Sequence, residues 1–181
     1  RLHAELCSIL VQIYAVLVDL KEMEAHSSMI EIGENLESAQ ILNAMAYAYA
    51  ETGTKLSLAR KYVMRALTIL DRHERRGPPV PRVGGQEWLG ALETNRGYYL
   101  DTLAWIDLKK GRVKVAVATL QQAVKRADLG AIRYHLGVAL AESGDRSAAA
   151  RNYARAIVLG GEDTEKAREQ LKSLGDDIDQ D

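Results

Sequence analysis

The chain has 181 residues, a formal net charge of −1, 47% hydrophobic residues and 27% charged residues. This length is enough for one or two domains to bury a core without metal or disulfide staples. The near-zero charge disfavours a general nucleic-acid binder, because such proteins neutralise many phosphates with cationic side chains. The single cysteine, Cys7, excludes an internal disulfide and leaves the redox compartment open.

The longest apolar stretch of the chain, Ile9–Val18, is interrupted by Gln12. It is too short to cross a bilayer, since a helix needs about 20 residues to span ~30 Å of hydrocarbon. It also lacks the small-residue cleavage site that is typical of a signal peptide. The chain begins with Arg1 rather than Met, and we expect it to be a processed or shortened piece of a longer product. The compartment therefore stays open between cytoplasm and periplasm.

Helical periodicity dominates the rest of the chain, and no segment alternates with period two over a length that would predict a strand. In Ser38–Ala50, apolar residues recur at spacings of three and four, and Gly53 ends the run. The same pattern returns in Ala59–Arg72, Leu100–Lys110, Val113–Ala127, Ile132–Glu142 and Arg146–Leu159. A last amphipathic helix, Thr164–Leu174, follows Asp163 as its predicted N-cap. The sequence predicts an all-α protein.

An internal repeat organises the second half of the chain. Gly111 and Gly144, each at the end of the first helix of a pair, are 33 residues apart, and the same offset relates Ala116 to Ala149. Glycine is favoured at the end of a helix, because it adopts the left-handed backbone conformation there at the lowest energetic cost. The two alanines are small enough to let two helix backbones approach closely, so we expect each to be packed within its own helix pair.

This pattern resembles the tetratricopeptide repeat, a helix–turn–helix unit of about 34 residues that stacks into a superhelix. The runs ILNAMAYAYAETG, YYLDTLAWIDLKKG and IRYHLGVALAESGD resemble bacterial members in particular. The resemblance implies an all-α, right-handed superhelical solenoid of antiparallel helix pairs in a single domain. Its expected parts are repeats at about 4–37, 39–72, 97–129 and 130–161, a capping helix at 164–174 within the domain 1–175, and an acidic tail at 176–181. The proline that commonly closes a repeat is absent, and the first repeat is degenerate.

One segment interrupts the period. Gly53 and Gly111 are 58 residues apart, which exceeds one repeat of this family by about 24 residues. The surplus contains RRGPPVPRVGG, whose prolines and glycines disfavour a helix. We expect an insertion loop over residues 73–96, in which Gln86–Leu92 can add a turn or two of helix. Two roles stay open for it: a tolerated surface insertion, or a loop that folds over the groove or contacts a partner.

No catalytic or cofactor motif is present in the sequence, which lacks G-x-x-x-x-G-K-[ST], G-x-G-x-x-G, G-x-S-x-G and H-E-x-x-H. His3 and Cys7 have the spacing of one helix face but lack the further ligands that a structural zinc site needs. We interpret His135, which follows Tyr134, as a packed or surface histidine rather than a catalytic base. We therefore expect no enzymatic activity, no catalytic residue, no metal and no cofactor.

The resemblance also implies that the first helix of each repeat lines a concave groove that binds a partner protein. The positions that match the family's groove are Gln40, Asn43, Tyr47, Ala50 and Glu51, then Tyr98, Asp101, Trp105, Leu108 and Lys109, then Ala131, Tyr134, Val138, Ala141 and Glu142. The members expected to contact a partner are Gln40, Asn43, Tyr47, Tyr98, Asp101, Trp105 and Tyr134. Some of these aromatic residues can instead fill space between repeats. The lysine, asparagine and arginine clamp with which some members hold a peptide carboxylate is absent.

The sequence thus predicts a non-catalytic scaffold that binds a peptide or helix of a partner protein. Two alternatives stay open: a regulatory or docking fragment of a larger enzyme or envelope-assembly protein, and an RNA-binding helical-repeat protein. The last class needs a basic concave face, whereas Glu51, Asp101 and Glu142 make this one acidic, so we expect no nucleic-acid partner. The N-terminal helix, roughly Leu2–Leu20, is apolar on all sides, which predicts that a preceding repeat or a second copy of the chain covers it.

Overall fold

The computed structural model describes residues 9–15, 19–28, 31–78 and 85–178, with side chains described up to residue 175. These ranges contain nine helices and no strand, which confirms the all-α class predicted from the periodicity. The helices are α1 (described over residues 9–15), α2 (Leu20–Ser27), α3 (Leu36–Glu51), α4 (Leu56–Arg76), α5 (Gly85–Lys109), α6 (Val113–Arg126), α7 (Gly130–Glu142), α8 (Arg146–Leu159) and α9 (Thr164–Ile178). None of the helices in the described ranges is long and apolar enough to cross a membrane.

The helices form two layers. The most extensive packing joins α3 to α4, α5 to α6 and α7 to α8. Because short connections link the members of each pair, the two helices of a pair run antiparallel. The odd-numbered helices α3, α5, α7 and α9 also pack against one another in that order, whereas the described parts of α4, α6 and α8 do not.

The helix ends follow local rules that are readable in the sequence. Asn35 and Asp145 cap α3 and α8, and the Asp145 carboxylate accepts a hydrogen bond from the Ala148 amide at 2.9 Å. Gly111 and Gly144 follow α5 and α7 with φ values of 71° and 88°. These left-handed conformations favour glycine, as the repeat pattern predicts.

Small residues bring the helices of a pair together. Ala116 and Ala149 are fully buried. Gly137 on α7 faces the buried ring of Tyr153 on α8, and a Cβ atom at Gly137 would lie 2.5 Å from Tyr153 Cε1. The ring therefore occupies the space that a side chain at Gly137 would need.

Most of the predicted insertion loop 73–96 is helical, so that prediction is wrong in its extent. The prolines act only locally: α4 continues to Arg76, and α5 already begins at Gly85. Residues 77–84 connect the two helices, and 79–84 lie outside the described residues. The start of α5 is stabilised because Leu92 is buried and the Arg96 guanidinium contacts Asp71 of α4 at 2.7 Å. The surplus residues lengthen α4 and α5 instead of forming a long loop.

Both ends of the chain also differ from the prediction. The predicted helix Leu2–Leu20 is helical over residues 9–15, Leu20 already belongs to α2, and positions 1–8 and 16–18 lie outside the described residues. Asp19 separates the two helices and caps α2 by accepting from the Glu22 amide at 3.2 Å. At the other end, α9 extends to Ile178, through the first part of the predicted acidic tail. Residues 179–181, like His3 and Cys7, lie outside the described residues.

Candidate functional site

A cavity of about 370 Å³ opens on the face formed by the odd-numbered helices. Its lining residues come from α3, α5, α7, and the turn and first residues of α9: Asn43, Ala44, Tyr47, Glu51, Tyr98, Asp101, Thr102, Ala131, His135, Glu162, Asp163 and Lys166. Within α3, the lining residues Asn43, Tyr47 and Glu51 are spaced by four, which places them on one stripe of the helix. The cavity therefore lies between neighbouring faces of α3, α5, α7 and the start of α9.

A buried pair of polar side chains joins two of these helices beneath the cavity. His135 on α7 is 2% exposed, and its Nδ1 lies 2.9 Å from both carboxylate oxygens of Asp101 on α5. Because an ionised carboxylate only accepts hydrogen bonds, Nδ1 is the donor. Burial alone would lower the pKa of His135, but the charge of Asp101 and this hydrogen bond raise it by more, so its pKa lies above the ordinary value. The pair therefore favours the charged imidazolium.

Aromatic rings hold the imidazole in place. Trp105 stacks on His135 with ring centroids 4.4 Å apart and an interplanar angle of 24°. The rings of Tyr47 and Tyr134 lie 6.2 Å and 5.6 Å from the same imidazole. The Trp105 indole Nε1 also donates to Glu51 Oε1 at 2.6 Å, which links α5 to α3. The π face of Trp105 favours a cationic imidazole, and the whole cluster forms a fixed floor for the cavity.

Carboxylates outnumber cations in the cavity lining. The carboxylates are Glu51, Asp101, Glu162 and Asp163, and the cations are Lys166 and the imidazolium of His135. Lys166 Nζ donates to Asp163 Oδ1 at 2.8 Å, and this bond is the largest cause of the raised pKa of Lys166. Burial and then the nearby carboxylates, Glu51 first, raise the pKa of the Tyr47 hydroxyl. The cavity is therefore acidic when all these groups carry their usual charges.

Two buried oxygens in the lining have no hydrogen-bond partner among the described residues: Asp163 Oδ2 and Asn43 Oδ1. Asp163 is one of the most buried charged residues of the chain, although only its Oδ1 is paired. The predicted side-chain cap of α9 by Asp163 is not formed, because Oδ1 accepts from Lys166 and Oδ2 is unpaired. Since buried polar groups in proteins are almost always paired, these two oxygens are acceptors that still lack a hydrogen-bond donor.

The predicted groove residues fall into three groups. Asn43, Tyr47, Tyr98 and Asp101 line the cavity, as do Glu51 and Ala131. Gln40 is exposed and is not part of the lining. Trp105 is 8% exposed and lies below His135, and Tyr134 contacts His135 and Tyr153 rather than the cavity. The last two residues thus support the cavity floor, because their rings are taken up by the contacts with the imidazole.

Sequence reasoning misses His135, Glu162, Asp163 and Lys166 as members of the site. His135 is interpreted from the sequence as a packed or surface histidine, and the structure buries it; its partner is not apparent from the sequence, since Asp101 lies 34 positions earlier. The other three residues belong to the turn before α9 and to α9 itself, outside any repeat. No local pattern in the sequence marks them as site residues, and the packing of α9 against α7 and α8 brings them to the cavity.

A second depression of about 420 Å³ adjoins the first and shares Tyr98, Ala131 and Glu162 with it. It extends past Asp128 to Leu159 at the end of α8.

Among the described residues, no group of three or more His, Cys, Asp or Glu side chains is placed to hold a metal ion. No protein-family model matches the chain, and no curated protein matches it at a significant level. The resemblance to tetratricopeptide repeats therefore stays a prediction.

Proposed function

We propose that the chain is a tetratricopeptide-like solenoid that works as a non-catalytic interaction module. In this proposal, the face formed by α3, α5, α7 and α9 binds an extended or helical segment of a partner protein. The observation that carries the proposal is the acidic and aromatic cavity on this face. An adjoining depression, which follows the α6–α7 and α8–α9 connections, shares Tyr98, Ala131 and Glu162 with it. A cavity of this kind suits a protruding side chain, and the adjoining depression leaves room for the chain on one side of it.

The packing of the two layers supports the solenoid. Helices that pack are about 8–10 Å apart. Among helices two apart in the described residues, α3 packs against α5, α5 against α7 and α7 against α9, whereas α4, α6 and α8 do not pack against one another. The even-numbered helices are therefore more widely spaced, so the stack bends with α3, α5, α7 and α9 on its inner side. The concave side of a curved helical array is the surface that such proteins use for binding.

A library of displayed random linear peptides provides a direct test. Tyr98 is 41% exposed and lines both cavities, whereas Val158 is 75% exposed and belongs to α8 of the other layer. Enriched peptides should bind the wild type and Val158→Ala equally, and bind Tyr98→Ala about tenfold or more weakly, since aromatic anchors dominate interfaces. Peptides that bind Tyr98→Ala as well as the wild type, or the absence of any binder, would contradict the proposal.

A further inference from the structure

We propose that the cavity recognises a basic side chain of the partner segment, with arginine bound more tightly than lysine. This inference rests on the proposed function, because it names the chemistry of the residue that the interaction face selects. It is carried by the charges of the lining, by the unpaired buried acceptors and by the aromatic walls, each of which favours a cationic donor.

The charges of the lining are not balanced within the chain. Asp101 is paired with His135, and Asp163 is paired through one oxygen with Lys166. Within the described part of the chain, the Glu51 carboxylate accepts a hydrogen bond only from the neutral Trp105 indole. Lys109 Nζ lies 4.7 Å from the Trp105 ring but makes no ion pair with Glu51 within the described residues.

Glu162 is the second carboxylate of the lining without a cation. It is exposed and lines both cavities, and among the described residues its side chain has neither an ion pair nor a hydrogen bond. Glu51 and Glu162 thus place two carboxylates at one opening that form no ion pair within the described residues, although the charge of Glu51 also acts on His135 and Lys166. A cation entering the cavity gains from both, and an acidic side chain is repelled.

The unpaired acceptors also favour a ligand that donates hydrogen bonds, independently of the net charge of the lining. Asp163 Oδ2 is buried at the cavity wall and, as a carboxylate oxygen, can only accept a hydrogen bond. Asn43 Oδ1 is a second buried acceptor in the same lining. Both oxygens are fully buried, so a ligand can reach them only if the lining side chains shift. A ligand with N–H donors can then pair with them, whereas a ligand with only acceptors cannot.

The aromatic walls favour arginine over lysine. Tyr47 and Tyr98 line the cavity beside the carboxylates, and Tyr98 remains partly exposed. A guanidinium group is planar, stacks on aromatic rings and presents five donors in a fixed arrangement, so it can bind a wall and two acceptors together. An ammonium group has three donors, is compact and is more strongly hydrated, so it loses more on entering the cavity.

The test uses the peptides that bind the wild type and lose affinity for Tyr98→Ala. Each arginine of such a peptide is replaced by citrulline, which keeps the shape but removes the charge, and each lysine by acetyl-lysine. We expect one replacement to weaken binding about tenfold or more, as for a charged group that is desolvated in an interface. An arginine-to-lysine change at the same position should weaken binding less than citrulline does.

Two protein variants and one control variant test whether the citrulline effect arises in the cavity. Glu162→Gln removes a lining charge, and Glu165→Gln is the matched control, since Glu165 lies three residues further along, has an 81% exposed side chain and lines neither cavity. The citrulline effect should shrink in Glu162→Gln and in Asp163→Asn and persist in Glu165→Gln. Peptides that depend on Tyr98 but are indifferent to citrulline and acetyl-lysine would overturn this inference alone. A library that gives no Tyr98-dependent peptide would overturn the proposed function as well.

Discussion

His135 Nδ1 lies 2.9 Å from both oxygens of Asp101, across the contact between α7 and α5. The imidazole is 2% exposed and the carboxylate 4% exposed, so neither group can exchange its partner for water. A buried ion pair adds little net stability when it is complete, but removal of one member leaves an uncompensated charge. The floor of the cavity therefore depends on both residues being present together.

Asp101→Leu should be strongly destabilising, because it leaves the His135 imidazole buried without its acceptor. We expect the free energy of unfolding to fall by about 3–5 kcal/mol, which is the cost of breaking a buried pair. The double variant Asp101→Leu/His135→Leu should recover part of this loss, since no charge remains to be buried. Urea unfolding of the two variants and the wild type measures the difference. A double variant that is less stable than Asp101→Leu would contradict the pairing.

The same pair should make stability depend on pH. The pKa of His135 is raised in the fold, where Asp101, Asp163 and Glu51 face it. The folded state therefore keeps this proton at pH values at which the unfolded chain, with a pKa of about 6.5, has lost it. The stabilisation is complete below pH ~6.5 and is lost as the pH rises through the folded pKa.

The free energy of unfolding, measured at a series of pH values from below 6.5 upward, tests this expectation. The wild type should lose stability on the alkaline side of about pH 6.5, and His135→Gln should show a smaller loss over the same range. Asp101→Asn should flatten the curve in the same way, because it removes the charge that raises the pKa of His135. Equal slopes in all three proteins would show that His135 does not titrate as the geometry implies.

The positions of most helices could be predicted, because the periodicity and the turn glycines are local signals. The error at residues 73–96 arises because proline affects only its own position and its immediate neighbours. Leu92 and Arg96, which lie beyond the prolines, are free to join α5, and their contacts with the rest of the chain stabilise the helix. The sequence marks the break but does not show how short it is.

The candidate site was only partly predictable, for a different reason. Asn43, Tyr47, Tyr98 and Asp101 lie on helix faces that a repeat pattern identifies. His135 enters the site through a contact with Asp101, and Asp163 and Lys166 enter it through the packing of α9. Such contacts depend on the tertiary arrangement of the helices, which local patterns in a single sequence do not predict.

Gly137 offers a test of how tightly α7 packs against α8. A Cβ atom at Gly137 would lie 2.5 Å from Tyr153 Cε1, and this ring is fully buried. Gly137→Ala should therefore lower the free energy of unfolding by about 1–3 kcal/mol through overpacking. Gly90→Ala on α5 is the matched control, since a Cβ there meets nothing within 4 Å. The control should be neutral or gain up to about 1 kcal/mol from helix propensity; equal effects of the two changes would contradict the close contact.

Asp107 links α5 to α4 and to the start of α6 through two arginines. We expect the stability of the fold to depend on these arginines. Its carboxylate is almost fully buried, accepts from Arg60 Nη1 of α4 at 2.7 Å and pairs with Arg112, which precedes α6. Arg60→Met with Arg112→Met leaves the carboxylate buried without a cation, and we expect a loss of about 3–5 kcal/mol in unfolding free energy. Adding Asp107→Leu should restore most of that loss. If the triple variant is as unstable as the double variant, the arginines act through something other than this carboxylate.

The N-terminal helix leads to a last expectation, on the oligomeric state. Within the described part of α1, Val11 and Ala15 are buried, whereas Ile9 and Ile13 are 53% and 46% exposed. Large apolar side chains exposed on one helix side are typical of a surface that another chain covers. We expect a second copy of the chain to cover it, so light scattering at micromolar concentration should give a dimer mass. Ile13→Glu should shift the mass to that of a monomer, because the carboxylate cannot be buried unpaired. Val158→Glu, which alters an even more exposed apolar residue of α8, should leave the dimer intact. A wild type that remains monomeric, or a dimer that tolerates Ile13→Glu, would contradict this arrangement.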